Sequence, residues 1–378
     1  MNIHIYHSNL THETRINKIT SSLVESGLCS EIEIVGKYGD GLKSRESLDP
    51  FRTFVRIKTF FKGNAFLLKA ISFLEWYVRT FFYLLKKDIE MINAHSLTVL
   101  PLAVYIGLIK KSKIIYEPHE LETESSGKGP RLKKIFKYLE RTFISQADLV
   151  YTVGEDISEY YKENYALDTV HTILNVPEYD KDFNYSSNIL RTKLKLKKEP
   201  LLFIYQGLMT EARGVIHLLE CFSQLDDKRH LVMMGYGPLE DTIREFSLKH
   251  NNIHYIEAVP QNKIIEYTSS ADVGICYLTD DCLSYRLSLP NKIFEYMHSG
   301  IPVIINDIQT SSKKLLESFD CGFIVNNNAK ELISCIIEVE RADINIKSKN
   351  ILELRQRFSW SQENKKLIEI YRNSLKDG

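Results

Sequence analysis

The sequence lacks the features that mark several classes of protein. None of the six cysteines among its 378 residues belongs to a CxxC pair, so their spacing indicates neither a zinc site nor a redox motif. There is no run of roughly 18 or more apolar residues, the length that a membrane-spanning helix needs, and no signal peptide precedes the first strand-like run. Basic and acidic residues both number 49, so a net charge of zero gives no electrostatic support for nucleic-acid binding. We therefore expect a cytoplasmic protein with reduced, mostly buried thiols and no nucleic-acid partner.

The sequence does contain two series of short apolar, β-branched runs separated by helical patterns. A chain of this length suits two domains, because single cores usually stop growing near about 250–300 residues. Continuous apolar strands that alternate with helices predict parallel sheets covered on both faces. The predicted fold class is therefore α/β, with two doubly wound, Rossmann-like parallel-sheet domains. The runs are 3–7, 31–36, 90–95, 113–118, 149–153 and 171–176, then 201–207, 230–235, 253–259, 273–278, 302–306 and 322–326.

The stretch SLPNKIFEYMHSGIPVI, residues 288–304, shows how one strand end is organised. Ligands of open parallel sheets bind at the carboxyl ends of strands. Pro290 suits the first position of a helix, and Gly300 followed by Pro302 ends that helix before the next strand. Glu295 then lies one turn into a helix that begins at a strand-end crevice.

The predicted helix has two different faces. Ile293, Phe294 and Met297 form an apolar stripe that is expected to pack on the sheet. The helix N-terminus suits a phosphate, and a carboxylate one turn further along suits the vicinal hydroxyls of a ribose. The alternative is an ordinary solvated face with a Glu–Lys pair. The polar residues are Asn291, Lys292, Glu295 and His298.

This stretch resembles the signature of the retaining GT-B glycosyltransferases of family four (glycosyl transferases group 1), in the branch that carries P-N-K-x-F-E-Y-M-x-x-G-x-P-V. Other stretches are similar to further segments of the family, so the resemblance covers nearly the full length. It implies the GT-B architecture, in which two Rossmann-like domains face a cleft. The stretches are INAHSLTVLPLA (92–103), IIYEPHELETES (114–125), YQGLMTEARGVIHLLECF (205–222), LVMMGYGPLEDTIREF (231–246) and FSWSQENKKLIEIY (358–371).

The resemblance and the polar, proline-bracketed segment after residue 177 define the predicted domains. They are an N-terminal, acceptor-side domain (1–177), an interdomain linker (178–199), a C-terminal nucleotide-sugar-binding domain (200–357) and closing helices that return to the N-terminal domain (358–378).

In the family, the nucleotide-sugar is held mostly by the C-terminal domain. Glu295 matches the glutamate that binds the ribose hydroxyls. Its usual acidic partner falls on Leu287, which cannot accept hydrogen bonds from the donor sugar. We infer from the helix geometry that Asn291 and Lys292, which follow Pro290, supply part of the lost polarity.

The family usually holds the diphosphate with two cations in the loop after the first strand of the C-terminal domain. Arg213 occupies one of these positions, and Leu208 occupies the other. A diphosphate leaving group needs charge neutralisation. Lys292 and Arg286 are therefore candidates for the missing cation, with a solvent-exposed loop arginine as the alternative for Arg286.

Backbone segments complete the predicted donor site. Gly207 lies at the end of the first strand of this domain, and Gly235 and Gly237 in GYGP let the backbone pass close to the nucleotide. Tight packing explains these glycines nearly as well. Val259 and Pro260 match the family segment whose backbone contacts the base, which leaves uridine and guanosine donors both open.

Two strand ends of the N-terminal domain carry the remaining predicted site residues. His119 matches the family histidine that faces the donor sugar, and Glu120 is expected to orient its ring; the alternative is an ordinary loop histidine. His95 is expected to be structural. HSNLTHETRINK resembles the family variant D-x-R-x-x-K, with Glu13 and Arg15 at its acidic and basic positions. Arg15 would open the first helix, where a phosphate or an acceptor carboxylate is its expected partner.

The resemblance implies transfer of a sugar from a UDP- or GDP-sugar to a hydroxyl of a saccharide or lipid-linked saccharide, with retention of configuration, in surface polysaccharide biosynthesis. We predict no cofactor and no essential metal, since the D-x-D at 180–182 lies in the predicted linker and the acids at 280–281 lack that spacing. Two alternatives stay open: a nucleotide-sugar epimerase of GT-B architecture, and a non-catalytic relative that binds a nucleotide-sugar. Leu208 and Leu287 keep the second alternative open, since both stand at usually polar positions.

Residues 51–87 stand out by their charge. They hold eight lysines or arginines against one acid, Glu75, with aromatic residues interleaved. Such an amphipathic surface suits an anionic membrane, and it predicts peripheral contact with the inner face of a membrane that carries a lipid-linked acceptor. The alternative is an ordinary pair of helices that bury their apolar sides on the sheet.

Overall fold

The computed structural model describes residues 1–63, 65–183, 187–279 and 282–376. The chain divides into two units, the first comprising Met1–Leu174 with Asn364–Gly378 and the second comprising Asn175–Glu363. No helix among the described residues is both long and apolar enough to cross a membrane. The six cysteines are free thiols, and all except the half-buried Cys335 are buried.

The first unit is built on a sheet in which eight described strands have the order β3-β4-β2-β1-β5-β6-β7-β8. All neighbouring pairs are parallel except β3 and β4, which are antiparallel. The strands are β1 (Asn2–Ile5), β2 (Ile32–Lys37), β3 (Arg45–Ser47), β4 (Arg52–Ile57), β5 (Met91–Ala94), β6 (Lys113–Tyr116), β7 (Leu149–Thr152) and β8 (His171–Thr172).

Helices connect the parallel strands of the first unit, as the alternating pattern predicts. Their inner faces are apolar; Ile16, Ile19 and Leu23 of the first helix, for example, are fully buried. The helices are α1 (Thr14–Glu25), α2 (Phe66–Leu85), α3 (Leu100–Lys110), α4 (Pro130–Ile144) and α5 (Glu155–Tyr165), with a 3-10 turn at Glu122–Glu124.

The structure differs from both sequence-based interpretations of residues 51–87, the basic amphipathic surface and the alternative pair of helices. Residues 52–57 form β4, which pairs with β2 inside the sheet, and only α2 is helical. Two of the eight basic residues lie on this strand. The side chain of Arg56 is buried and donates to the backbone oxygens of Asn9 and Lys43, and it pairs with Glu46. The basic surface predicted for the whole segment therefore does not exist as such.

The second unit is built on a parallel sheet with the order β11-β10-β9-β12-β13-β14 among the described strands. Its longest strands, β9 and β10, pair over their full length, which brings Gly207 opposite Gly235. The strands are β9 (Leu201–Leu208), β10 (Arg229–Tyr236), β11 (Ile253–Glu257), β12 (Val273–Cys276), β13 (Val303–Asn306) and β14 (Gly322–Val325).

The helices of the second unit cover its sheet and extend into the segment predicted as a linker. Residues 189–193 form a short helix, on which Leu190 is buried and Arg191 pairs with Asp272 at 2.5 Å, so this part of 178–199 belongs to the second unit. The helices are α6 (Ile189–Lys193), α7 (Val215–Phe222), α8 (Glu240–Lys249), α9 (Ile264–Thr268), α10 (Leu283–Arg286), α11 (Asn291–His298), α12 (Thr310–Phe319), α13 (Ala329–Glu338), α14 (Arg341–Leu354) and α15 (Trp360–Lys376).

The last helix, α15, belongs to the first unit from Asn364 onwards. Tyr371 on this helix is fully buried, and its hydroxyl donates to Oδ1 of Asn93 at 2.6 Å. The chain end is thus anchored in the core of the first unit by a hydrogen bond between residues far apart in sequence.

Steric contact explains why glycine stands at position 235. A Cβ atom at Gly235 would lie 2.0 Å from the carbonyl oxygen of Gly207 on the neighbouring strand, and the φ of Gly235 is +154°. We predict that Gly235→Ala lowers the free energy of unfolding by at least about 3 kcal/mol, because it adds overlap to an unfavourable backbone conformation. Chemical denaturation measures the change.

Gly41→Ala is the matched control for this prediction. Gly41 also has a positive φ, +81°, but a Cβ there would meet nothing within 4 Å, so only the backbone cost of about 1–2 kcal/mol is expected. Equal losses in the two variants would contradict the steric explanation.

Candidate functional site

The predicted donor-binding residues of the second unit lie at the carboxyl ends of three adjacent strands. Gly207 is the next-to-last residue of β9, Gly235 is the next-to-last residue of β10, and Gly237 directly follows β10. Val259 and Pro260 come two and three residues after the end of β11. These ends lie side by side because the strands are parallel and neighbours in the sheet. The sequence-predicted backbone residues therefore share one edge of the second sheet.

Lys292 is the most unusual charged residue at this edge. Its side chain is only 8% exposed, although α11 begins one residue earlier. The ammonium lies 3.9 Å from the ring centroid of Tyr205, and a Cβ at Gly207 would be 4.0 Å from Lys292 Cε. Burial, with a smaller contribution from the charge of Arg213, lowers the pKa of Lys292 to about 8. The lysine thus crosses from α11 onto the end of β9.

Arg213 supplies a second positive charge near this ammonium. It ends the 3-10 turn Glu211–Arg213, directly before Gly214. In the part of the chain that the structure describes, no carboxylate lies within ion-pair distance of Arg213 or Lys292. Two like charges held near each other without a counter-ion are unfavourable, so this edge is electrostatically suited to an anion.

Glu295 lies one turn into α11 and is held by a side chain that the sequence analysis missed. Nε2 of Gln206 donates to Oε2 of Glu295 at 2.5 Å, and the hydroxyl of Thr268 donates to Oε1 of Gln206 at 2.5 Å. Gln206 is the last buried residue of β9. The sequence signal that could have identified Gln206 is its place as a polar residue at the end of an otherwise apolar strand.

The predicted faces of α11 are confirmed in part. Ile293, Phe294 and Met297 are buried, as the apolar stripe requires. His298 does not share a surface with Asn291, which is exposed; His298 is buried, and its Nε2 lies 2.8 Å from the carbonyl oxygen of Phe358. His298 is therefore structural.

The two leucines at usually polar positions are both accessible. Leu208 is 38% exposed at the very end of β9, and Leu287 is half-buried after α10. Arg286 is exposed on α10, and the backbone oxygen of Arg286 accepts from Thr310. Pro290 caps the start of α11 without a side-chain hydrogen bond, which leaves the first N–H groups of that helix available.

In the first unit, Glu117 is the centre of a buried polar cluster. It directly follows β6 and is fully buried. Arg15 pairs with Oε1 through Nε, Nδ1 of His95 lies 2.7 Å from Oε2, and the hydroxyl of Tyr151 donates to Oε2 at 3.1 Å. Burial opposes the charged form of Glu117, but Arg15 and then His95 outweigh it and hold the pKa of this carboxyl well below its ordinary value. The sequence analysis missed Glu117, which it read as part of an apolar strand.

Two further histidines extend the cluster. Nδ1 of His4 lies 2.8 Å from Nε2 of His95, and burial lowers the pKa of both rings, strongly for His4. Because a neutral ring donates through one nitrogen, a proton on Nδ1 of His95 toward Glu117 leaves Nε2 to accept from His4. His119, predicted to face the donor sugar, is the accessible member, with 22% of its side chain exposed and Nε2 3.8 Å from Oε1 of Glu117.

Two predicted acceptor-side roles differ from what the structure shows. Arg15 opens α1 as predicted, but it is buried, and its partner in the structure is Glu117 instead of a phosphate or an acceptor carboxylate. Glu120 is exposed. The carboxylate near His119 is Glu117, whose Oε1 lies 3.8 Å from Nε2 of His119.

The residues that could hold a metal ion are His95, Glu117 and His119, whose ligand atoms lie within 4.8 Å of one another. The same carboxylate already pairs with Arg15, and a divalent cation there would be repelled by the guanidinium. The absence of an essential metal stays a prediction. Asp180 and Asp182 are exposed and share a local turn, in which the N–H of Asp182 donates to Asp180; residues 280–281 lie outside the described residues.

Solved structures define the fold class as GT-B. Sucrose-phosphate synthase from Thermosynechococcus elongatus matches with a TM-score of 0.79 and 15% identity, over 100% of this chain and 99% of that chain. Anabaena HepE, solved in complex with UDP-glucose, matches with a TM-score of 0.72 and 14% identity, over 98% and 99%. The prediction of two Rossmann-like domains of GT-B type is confirmed.

The predicted resemblance to glycosyl transferases group 1 is confirmed over part of the second unit. Residues 200–341 match the family described as glycosyl transferases group 1. An uncharacterized glycosyltransferase of Methanocaldococcus jannaschii is 26% identical over 225 residues, which are 52% of this chain and 53% of that protein. The match thus spans about half the length of that curated relative.

The buried ion pair of the first unit generates a prediction. Glu117→Gln keeps the shape of the side chain but leaves the guanidinium of Arg15 buried without a counter-ion. We expect the free energy of unfolding to fall by about 3–5 kcal/mol, measured by chemical denaturation.

Glu159→Gln provides the control, since the side chains of Glu159 and its partner Lys162 are 60% and 37% exposed. Solvent screens that pair, and the expected loss is below about 1 kcal/mol. If both substitutions cost the same, the charge of Glu117 is not what stabilises Arg15.

Proposed function

We propose that the protein is a glycosyltransferase that transfers a sugar from a UDP- or GDP-sugar to a hydroxyl of a saccharide or lipid-linked saccharide. The observation that carries this proposal is the pair of cations, Arg213 and Lys292, at the carboxyl end of β9 without a carboxylate partner among the described residues. A diphosphate would neutralise both charges. The family match of residues 200–341 and the glycosyltransferase relative support the same reaction class.

The remaining residues of this edge fit the other parts of a nucleotide-sugar. Glu295, fixed by Gln206, offers a carboxylate to a pair of vicinal ribose hydroxyls. The first N–H groups of α11, after Pro290, point a helix dipole at a phosphate. UDP-sugars are the first donors to test, since HepE was solved with UDP-glucose; guanosine donors remain open.

In the proposed reaction, the acceptor oxygen forms a bond to the anomeric carbon while the bond from that carbon to the β-phosphate oxygen breaks. The acceptor proton passes to the departing phosphate, and the nucleoside diphosphate leaves. Arg213 and Lys292 stabilise the negative charge that develops on this leaving group. Retention of configuration follows if attack occurs on the face from which the phosphate departs, and no protein nucleophile is then needed.

We further propose that the reaction serves surface polysaccharide biosynthesis and needs neither a cofactor nor a metal. His119 is proposed to contact the sugar or the acceptor, because it is the accessible member of the Glu117 cluster. Glu117 and His95 are proposed to position its ring.

The buried lysine predicts a characteristic pH dependence of nucleotide binding. An anion binds the protonated form of Lys292, whose pKa is lowered to about 8, so UDP affinity should fall as the pH rises from about 7 to about 9.5. Isothermal titration calorimetry measures this, and Lys292→Met should weaken binding at pH 7 by about tenfold or more and abolish the pH dependence.

Lys263→Met is the matched control, since Lys263 lies near the same edge but is exposed and paired with Glu266. It should leave both affinity and pH dependence nearly unchanged. An unaltered pH profile in Lys292→Met would refute the placement of the diphosphate.

Donor turnover separates the proposed transferase from its alternatives. A transferase should release the nucleoside diphosphate slowly by hydrolysis and faster with an acceptor, and Arg213→Met and Glu295→Gln should reduce release by about 100-fold or more. An epimerase would convert the sugar of the donor without an acceptor, and a binding protein would retain the nucleotide-sugar intact. Chromatography and mass spectrometry of the products distinguish the three outcomes, and either of the last two overturns the proposal.

A further inference from the structure

Three adjacent helices of the first unit expose large apolar side chains on their outer sides. α2 contacts α3, and α3 contacts α4; the rings of Tyr105 and Phe143, on α3 and α4, meet edge to face at 5.6 Å. We call this surface the α2–α4 face. Representative residues, each 46% to 71% exposed, are Leu74, Val78, Leu108, Ile109, Ile135 and Tyr138.

The beginning of α2 is unusually apolar for its exposure. Every residue of 66–70 is exposed, and Phe66 and Leu67 are 89% and 68% exposed. Phe60, in the segment before the helix, is 82% exposed. Contiguous exposed apolar surface of this kind marks an interaction site more often than ordinary solvent-facing surface.

The accessible charges around the α2–α4 face are positive. Its two acids are occupied: Glu75 accepts from backbone N–H groups and pairs with Arg79, and Glu140 is buried among tyrosine hydroxyls. The exposed cations without an ion-pair partner among the described residues include Lys69, Lys111, Arg131 and Lys134. The face is therefore apolar at its centre and cationic around it, in a chain with no net charge.

We propose that the α2–α4 face docks on an anionic lipid membrane. Acyl chains accept the apolar side chains, and anionic headgroups neutralise the cations at the same depth. A second copy of this chain is a poorer partner, because pairing the face with itself would oppose like charges. The proposed docking surface replaces the membrane contact that was predicted for residues 51–87. That docking would bring the protein to a lipid-linked acceptor rests on the proposed function.

Vesicle binding by the full chain, without donor or acceptor, tests the docking directly. Vesicles of phosphatidylcholine with phosphatidylglycerol should bind the protein in co-sedimentation, and phosphatidylcholine alone should bind it much more weakly. Added salt should weaken the binding. If the protein does not bind vesicles, the proposed transfer reaction is not contradicted. If donor turnover is not observed, the result of vesicle binding is likewise unaffected.

Substitutions assign the binding to the face. Leu74→Ser with Leu108→Ser and Ile135→Ser should reduce the vesicle partition coefficient by at least about tenfold. The matched control replaces three equally exposed apolar residues of the second unit, as Leu248→Ser with Ile337→Ser and Ile346→Ser, and should change it less than about twofold. Circular dichroism melting verifies that the variants are folded.

A second variant tests the docking proposal by removing charge, without changing any apolar residue. Lys69→Gln with Arg131→Gln and Lys134→Gln should lower binding about fivefold for each cation removed. Absence of binding to anionic vesicles, or equal binding by the face variants and the controls, overturns the proposal. So does a concentration-dependent dimer in sedimentation equilibrium that the apolar face variant abolishes, since the face would then be an interface between copies.

Discussion

The free-energy cost of burying charge governs both polar clusters of this protein. In the first unit, Arg15 and Glu117 are buried together, and each neutralises the other. In the second unit, Lys292 is almost as buried, but no carboxylate forms an ion pair with it among the described residues, and the charge of Arg213 acts against its protonated form. The first cluster is neutralised by its own residues, whereas the proposed role of the second is to be neutralised by an anionic ligand.

The two arrangements have different consequences for ligand binding. A neutralised pair surrounded by histidines is a rigid support, because removing either partner leaves an uncompensated charge. Two unneutralised cations store unfavourable energy that an anionic ligand releases on binding. Parallel strands make both arrangements possible, since they collect side chains from distant parts of the sequence at one edge of each sheet.

The sequence predicted those strands and helices that are indicated by patterns of neighbouring residues. Continuous apolar runs located the strands of both sheets other than β3 and β4, and the 3.6-residue period located the apolar stripe of α11. Strand β4 was not predicted, because RTFVRI carries two arginines and was assigned with the rest of 51–87 to a basic amphipathic surface. The neutralising groups of Arg56 are two backbone oxygens and Glu46, which only the fold brings to it.

The site was harder to predict because its decisive contacts are long-range. Glu117 looked like one polar residue at the end of a strand, and its partner Arg15 is about a hundred positions away. Gln206 and Glu295 are similarly distant, so nothing in either motif indicated their hydrogen bond. The direction of the Lys292 side chain was also not predicted. The helical projection placed it beside a solvent-facing strip, but its ammonium lies over the ring of Tyr205 on β9.

A helix that covers a sheet needs only one apolar face. α12 in the second unit follows this rule, with the charged residues Lys313 and Glu317 on its accessible side. α3 does not, because its outer positions carry Tyr105, Leu108 and Ile109, each more than half exposed. Folding of the first unit does not require these outer residues to be apolar, since the inner side of α3 already buries Leu102, Ile106 and their neighbours. Their apolar character is therefore better explained by an external contact than by the core, and the surrounding cations limit that contact to a surface with negative charge.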